Sequence, residues 1–311
     1  MSDFRFIYGP VPSRRLGLSL GISPIPKKTC NYSCIYCQLG NTNKLTNKRE
    51  IFYPVVEIIN EVKDYLKSDV TCDILTIVGE GEPTLYKDLG LLINALKELT
   101  EKPIAVITNG ALLSDADVRK ELMAADFVLP SIDAPNEVLF KKINRSFGKI
   151  HYDSFLNGLI QFSKEYTGKL YLETMLIKDI NDDEATLLKM KKILEKIDYD
   201  RLYINAPIRP PAESDVKEPT TAALSNAVKV LGGISIEQLV SDGFYSNEKD
   251  DYSAIKSIIK RHPMNQFEIR SFLENRKCQI IEEIMVKLEN DLEIEMNTYK
   301  SHKNYRISLK N

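Results

Sequence analysis

The sequence has 311 residues, 43% hydrophobic and 28% charged, which is typical of a globular chain with a sizeable core and excludes a disordered one. A net charge of −2 weighs against a positive electrostatic potential over the whole protein that would attract nucleic acid, although it leaves room for a local basic patch. There is no secretory signal or membrane-length apolar run, and five cysteines, three of them within eight positions, do not suit a disulfide framework. We therefore expect a cytoplasmic protein without membrane contact.

Short apolar runs alternate with amphipathic segments over the first two thirds of the chain. Strands are predicted at 16–23, 74–78, 104–108, 127–132, 170–177 and 201–205, and helices at 54–66, 91–99, 115–124, 152–166 and 182–197. Asn181 is the expected N-cap of the last helix. About six strand-then-helix units predict an α/β fold with a parallel sheet, an open or closed barrel. In such folds ligands bind at the carboxyl ends of the strands.

The sequence changes character after the sixth strand. The proline-rich stretch 207–219 is interpreted as a linker or as a segment that crosses the rim of the barrel, and 220–231 is predicted to be a helix. Helices at 252–261, 266–274 and 278–289, followed by strands at 293–299 and 304–309, have the order of a winged helix. We predict three parts: a barrel domain at 1–210, a linker with a bridging helix at 211–250, and a small winged-helix-like domain at 251–311.

Cys30, Cys34 and Cys37 lie on one predicted loop after the first strand. Three thiolates on so short a loop can hold three corners of an iron–sulfur cubane and leave one iron open for a small molecule. A structural zinc ion needs a fourth ligand, and the three histidines all lie beyond residue 150. A redox pair of Cys34 and Cys37 would leave Cys30 without a role. The spacing favours an iron–sulfur cluster over zinc, a redox pair or three free thiols.

This spacing, with Tyr36 directly before the last cysteine, resembles that of the radical S-adenosylmethionine superfamily, and the resemblance covers about residues 10–210. It implies a partial (β/α)6 barrel, a [4Fe–4S] cluster and S-adenosylmethionine as cofactors. It also implies that the open iron chelates the methionine moiety and that one electron releases a 5′-deoxyadenosyl radical. The electron donor would be a reductant such as a flavodoxin- or ferredoxin-like protein. Tyr36 is expected near the adenine.

Polar residues follow the other predicted strands. Gly81, Glu82 and Pro83 resemble the last three residues of the family's Gly-Gly-Glu-Pro motif, which holds the methionine amino group, while Glu80 replaces its first glycine. Further expected contacts to S-adenosylmethionine are Thr108, Asn109, Ser131, Asp133, Arg145, Glu173, Asn205 and Arg209. Turn, cap, ion-pair or backbone-bracing roles stay alternatives for these residues. No residue is assigned as catalytic toward the substrate.

The substrate is less well defined by the sequence. Residues 12–17 and 79–84 resemble an uncharacterised subgroup related to the wybutosine-synthesis Fe–S oxidoreductases, which implies tRNA as a substrate. Within the first segment, Arg14 and Arg15 bind an anionic substrate or form structural ion pairs. The predicted wing carries the basic residues Lys300, His302, Lys303 and Arg306. The alternatives are a radical enzyme that modifies a polypeptide, and a DNA-binding Fe–S sensor without turnover.

Overall fold

The computed structural model describes residues 4–67, 71–236, 244, 246, 248–260, 262–299 and 302–308. The strands, in chain order, are β1 (Ile7–Ser13), β2 (Gly17–Ile22), β3 (Thr29–Cys30), β4 (Lys44–Leu45), β5 (Ile74–Ile77), β6 (Ile104–Thr108), β7 (Phe127–Pro130), β8 (Lys169–Met175), β9 (Arg201–Asn205), β10 (Ile234–Ser235), β11 (Met264–Asn265), β12 (Ile294–Tyr299) and β13 (His302–Ile307).

The helices, in chain order, are α1 (Val55–Leu66), α2 (Leu89–Leu99), α3 (Ala116–Leu122), α4 (Glu137–Asn144), α5 (Tyr152–Glu165), α6 (Glu184–Leu194), α7 (Thr221–Leu231), α8 (Asp251–Ile259), α9 (Gln266–Asn275) and α10 (Ile281–Asn290). Their bounds follow local signals. Helix α7 begins after Thr220, whose side chain accepts a hydrogen bond from the Ala223 amide, and ends at Gly232, which adopts a φ of 73°. Helix α9 has a capping box formed by Asn265 and Glu268.

The main sheet has the strand order β1–β2–β5–β6–β7–β8–β9–β10. Strand β1 is antiparallel to β2, and the other neighbouring strands are parallel. Six strands of the parallel part, β2 and β5 to β9, each lead into at least one helix. This confirms the predicted α/β class with a parallel sheet, consistent with a partial (β/α) barrel.

The two faces of the sheet have different surroundings because successive side chains of a strand point to opposite sides. On β8, Leu170 and Leu172 belong to the large core that the sheet shares with the helices. Tyr171 points to the other face, where it packs near Tyr203 in a smaller apolar cluster. Glu173 lies on that second face as well, two residues further along, and the face opens there into a cavity.

The C-terminal elements from α8 to β13, called the tail below, surround a core of their own. This core includes Ile258, Phe272, Leu288 and Tyr305. Their sheet has the order β11–β13–β12 with antiparallel pairing. Val11 of β1 packs against this core, so the tail lies on the antiparallel end of the main sheet. The domain limits and the winged-helix assignment stay predictions, and Lys300 lies outside the described residues.

Several local expectations are corrected by the structure. Strand β1, helix α4 and strand β11 were not predicted. Asn181 is not the N-cap of α6; Asp183 takes that position and accepts a hydrogen bond of 3.0 Å from the Thr186 amide. Within the described part of the chain, no helix has the length and apolar character that a bilayer crossing would need.

Candidate functional site

The cysteine loop begins at the end of β3, where Cys30 is the last strand residue. The Cys37 amide donates to the Cys34 carbonyl at 3.1 Å and closes a turn between these two cysteines. The Ser33 amide donates to the carbonyl of Asn144, the last residue of α4, at 3.0 Å. The loop is therefore held by a helix that the sequence did not reveal.

Two side-chain amides point at the thiols. The Asn109 Nδ2 atom lies 3.7 Å from the Cys30 Sγ atom, and the Asn144 Nδ2 atom lies 3.6 Å from the Cys34 Sγ atom. Donors directed at sulfur favour its anionic form, which is the form that binds metal. Asn109 was an expected ligand contact, whereas the role of Asn144 was not foreseen.

The surroundings of the three cysteines disfavour the deprotonated form of each thiol when no metal is bound. Burial, reinforced by the Glu82 carboxylate, raises the pKa of Cys30 to about 12. Burial, with the charge of Asp133 next, holds the pKa of Cys34 well above its ordinary value. Burial also raises the pKa of Cys37, although the nearby charge of Lys28 opposes this shift. The loop therefore suits sulfurs whose charge is neutralised by bound metal.

The three thiols lie on one loop, and this arrangement limits the kinds of metal site that they can form. Among the residues that the structure describes, no three His, Cys, Asp or Glu side chains converge as ligands of one metal ion. A zinc site requires such convergence. In a cubane, each cysteine binds a different iron, so the three sulfurs stand apart. The chain offers three partly buried thiols on one loop, with amide donors on two of them, as ligands of that kind.

Asp133 connects the cysteine loop to the sheet. Its carboxylate accepts hydrogen bonds from the Tyr36 hydroxyl at 2.6 Å, the Asn144 amide at 2.7 Å and the Met175 backbone amide at 2.8 Å. The Asn181 side chain donates to the carbonyls of both Asp133 and Met175. Burial raises the pKa of Asp133, and these donors oppose the shift. Tyr36 is thus fixed by its hydroxyl, and Asn181 supports the site instead of capping a helix.

Glu82 also connects two segments next to the cysteine loop. Its buried carboxylate accepts from the Thr108 hydroxyl at 2.6 Å, the Asn109 backbone amide at 2.8 Å and the Thr84 backbone amide at 3.0 Å. Burial raises the pKa of Glu82, and these hydrogen bonds oppose the shift. The carboxylate therefore joins the loop after β5 to the end of β6, while the preceding Gly81 faces the cavity.

Three other residues that were expected to contact S-adenosylmethionine lie away from the cavity. The Ser131 backbone amide donates to the Thr108 carbonyl at 3.1 Å, continuing the pairing of β6 and β7. Pro83 is buried at the start of a short 3-10 turn. Arg145 ends α4 with a φ of 45° and forms an ion pair with Glu213. None of these three side chains lines the cavity.

A cavity of about 790 Å³ opens beside the cysteine loop. This volume is in the range of small-ligand pockets. The expected site residues that line it are Cys30, Cys34, Cys37, Tyr36, Gly81, Glu173, Asn205 and Arg209. The opposite wall comes from the β1–β2 turn and from the tail. The cavity therefore lies between the carboxyl ends of the strands and the C-terminal helices.

Two ion pairs shape the far side of the cavity. Arg15 pairs with Glu173, which explains how an acid is tolerated on an inner strand face. Burial lowers the pKa of Arg15 to about 10, so its guanidinium remains charged at neutral pH. Arg209 pairs with Glu268 of α9 at 3.3 Å and thus joins the end of β9 to the tail.

The chain is similar to known proteins over most of its length. The model of the radical SAM superfamily matches residues 25–190, more than half of the chain. A UPF0026 protein of Methanocaldococcus jannaschii is 35% identical over 298 residues, covering 91% of this chain and 90% of that protein. A GTPase Obg of Brachyspira hyodysenteriae is 43% identical over 247 residues, and the match covers 78% of this chain but only 36% of that protein.

The fold is also similar to solved structures. A radical SAM methyltransferase from Sphaerobacter thermophilus superposes with a TM-score of 0.55 at 15% identity, covering 70% of this chain and 65% of that one. At this identity the likeness concerns the fold alone. Together with the family match, it accounts for the parallel sheet and the cysteine loop at its carboxyl edge. The chain therefore belongs to the radical SAM superfamily, whose cofactors are a [4Fe–4S] cluster and S-adenosylmethionine, and is a radical SAM enzyme.

Proposed function

We propose that Cys30, Cys34 and Cys37 hold a [4Fe–4S] cluster and that this enzyme uses S-adenosylmethionine to modify an RNA substrate, a tRNA, placed in the adjoining cavity. The observation that carries the proposal is the opening of three partly buried thiols, two of them with amide donors, into a cavity of about 790 Å³ that Gly81 also lines. When bound, the cluster and S-adenosylmethionine supply an electron and a cleavable sulfonium bond that together give a 5′-deoxyadenosyl radical.

The chain's own residues position and enclose that chemistry. Asp133 holds the Tyr36 hydroxyl and so fixes an aromatic ring on the cavity wall. Glu82 is occupied by donors of the chain, which leaves the backbone around Gly81 to approach the methionine amino group. Phe272 of the tail lines the cavity on the opposite side and helps to keep water out.

The placement of the tail weighs against the DNA-sensor alternative. In the DNA-sensor alternative, helices of the tail would face outward to bind an operator. Glu268 and Phe272 of α9 instead line the cavity. Helix α10 carries Glu282 and Glu283 in its first turn, a poor surface for phosphates. The tail therefore suits a wall around a bound substrate, and the resemblance to tRNA-modifying oxidoreductases favours RNA as that substrate.

The test of the cluster assignment is a comparison of Cys34→Ala with Cys278→Ala. We expect the unchanged protein and Cys278→Ala, prepared anaerobically, to bind about four irons and four sulfides per chain. Both should release 5′-deoxyadenosine from S-adenosylmethionine when dithionite replaces the flavodoxin- or ferredoxin-like donor. Cys34→Ala should do neither. Normal iron and sulfide loading of Cys34→Ala would overturn the assignment.

The substrate is tested separately by recovering what remains bound to Cys34→Ala after purification at low salt. Co-purifying tRNA whose binding weakens with added salt supports the proposal. A bound polypeptide without RNA would favour the peptide-modifying alternative instead.

A further inference from the structure

Arg14 differs from the other two arginines on the cavity wall. It lies in the turn between β1 and β2 and lines the cavity. Arg15 and Arg209 are each paired with a carboxylate, those of Glu173 and Glu268. Arg14 forms no ion pair with any carboxylate in the described ranges of the chain. Its guanidinium therefore has hydrogen-bond donors to offer to a ligand.

Ionisable side chains of both signs line the cavity. Among the described residues, the cations are Arg14, Arg15, Lys28 and Arg209, and the carboxylates are Glu80, Glu173 and Glu268. Arg15 and Arg209 are neutralised by Glu173 and Glu268, whereas Arg14 is not. The guanidinium of Arg14 thus favours a ligand that brings a negative group to its part of the cavity.

His262 offers a second polar contact on the same wall. It follows α8, lines the cavity, and its buried Nδ1 atom has no hydrogen-bond partner among the residues described. Burial, together with the positive charges of Arg209, Arg15 and Arg14, holds the pKa of His262 well below its ordinary value. The ring is therefore neutral at neutral pH and can give or accept one hydrogen bond without adding charge.

An aromatic ring accompanies these polar groups. Phe267, in the first turn of α9, lines the cavity although 56% of its surface is exposed. Single-stranded nucleic acids are commonly held by aromatic rings that stack on the bases and by guanidinium groups that contact the phosphates. A peptide carboxylate would use the arginine alone, whereas a nucleotide would use both the arginine and the ring.

We propose that Arg14 and His262 bind a phosphate group of the substrate and that Phe267 stacks on the attached base, so that the cavity accepts one nucleotide unit. The inference rests on the proposed function and names the part of the RNA that this enzyme recognises. It divides the work among the three cavity arginines: Arg15 and Arg209 hold the wall together through their carboxylate partners, and Arg14 meets the ligand.

The test uses the cluster-loaded enzyme and three small probes: uridine 5′-monophosphate, uridine and acetate, measured by isothermal titration calorimetry. We expect uridine 5′-monophosphate to bind roughly tenfold or more tightly than uridine, as a charge-assisted hydrogen bond would give. Arg14→Gln should remove most of that preference. Arg270→Gln, which removes an exposed arginine of α9 paired with Glu282, should keep it.

Phe267→Leu provides a second variant that changes an exposed side chain and so should not disturb folding. It should weaken uridine and uridine 5′-monophosphate alike by roughly tenfold, since both carry the base. Equal binding of the two probes by the unchanged enzyme, a preference that survives in Arg14→Gln, or displacement of the nucleotide by acetate at similar concentration would overturn the inference.

The two proposals fail in different ways. If an enzyme that loads its cluster and cleaves S-adenosylmethionine shows no preference for the phosphate-bearing probe, only the nucleotide inference is overturned. If the unchanged protein neither loads a cluster nor cleaves S-adenosylmethionine, the proposed function itself is overturned, whichever probe it binds.

Discussion

Glu82 and Asp133 are buried carboxylates whose oxygens accept hydrogen bonds from the chain itself. Glu82 joins the loop after β5 to Thr108 and Asn109, and Asp133 joins Tyr36 of the cysteine loop to β8. Burying such groups is costly unless their lone pairs are satisfied. Their role is therefore to fix the positions of neighbouring loops around the thiols, which makes them positioning residues.

Replacing Glu82 by Gln should destabilise the protein more than the similar size of the two side chains suggests. One carboxylate oxygen becomes an NH2 group that faces other donors, so either the Asn109 amide or the threonine donors lose their acceptor. We expect the free energy of unfolding to fall by about 1–3 kcal/mol, measured by urea denaturation. Glu195→Gln, at the exposed residue directly after α6, is the control and should change little. An equal effect of the two substitutions would contradict this role.

At the residue scale, the sequence indicated those parts of the candidate site whose residues are close together in the chain. The three cysteines and the Gly81–Pro83 motif are each short and contiguous, so spacing and strand ends were sufficient to select them. Asn144 and His262 could not be selected this way. Asn144 reaches Cys34 because α4 ends there, and His262 reaches the cavity because the tail packs on β1. Such placements depend on contacts between distant segments.

At the scale of elements, continuous apolar runs predicted the bounds of buried strands most reliably. Strands β6 and β9 have the predicted bounds, because both are buried in a parallel sheet. Strand β1 was missed since Gly9, Pro10 and Pro12 are typical of loops. It is tolerated as a strand because it lies at the edge of the sheet, where prolines need not donate to a further neighbour.

The contact between the Gly79–Pro83 loop and β3 is close enough to exclude a side chain. A Cβ atom on Gly81 would lie 1.8 Å from the Thr29 carbonyl oxygen, so Gly81→Ala must push the two backbones apart. We expect a loss of about 1–3 kcal/mol in stability or more, together with reduced iron loading, because Cys30 follows Thr29 directly. Gly148→Ala, where a Cβ would meet nothing within 4 Å, should be tolerated. Unchanged unfolding and loading in Gly81→Ala would refute this.

The tail has its own pH dependence, centred on Asp291. A hydrogen bond from Tyr252 is the largest cause of the shift that lowers the pKa of Asp291 to about 2, and Lys256 donates to it at 2.9 Å. A folded pKa below the unfolded value of about 3.9 contributes stability that is present above pH 4 and is lost as the pH falls toward 2. After allowance for solvent screening, the contribution is about 1 kcal/mol.

Asp291→Asn should therefore lower the urea midpoint at pH 7 and flatten its decline between pH 5 and pH 3. Circular dichroism at a series of pH values measures both effects. Asp215→Asn, an exposed aspartate outside the tail, should leave the decline as it is in the unchanged protein. A decline of the same steepness in Asp291→Asn would show that another group controls the acid sensitivity.

At the scale of the molecule, the cavity is built from both ends of the described chain. Arg14 and Arg15 come from the turn between the first two strands, whereas His262, Phe267 and Phe272 come from the tail. The order of elements in the tail could be predicted from the sequence, but not its docking on β1. That contact partly buries Val11, which lies between two prolines in a segment rich in glycine and proline, and nothing in the pattern of that segment indicates a partner.

The use of the tail as a cavity wall has a consequence for the order of assembly. During synthesis, the cysteine loop leaves the ribosome long before residues 262–272, and domains generally fold from the amino end first. A growing chain would thus expose its thiols on a partly formed sheet while the wall opposite them does not yet exist. That open side would give iron and sulfide access to the three cysteines, and the docking of the tail would then restrict that access.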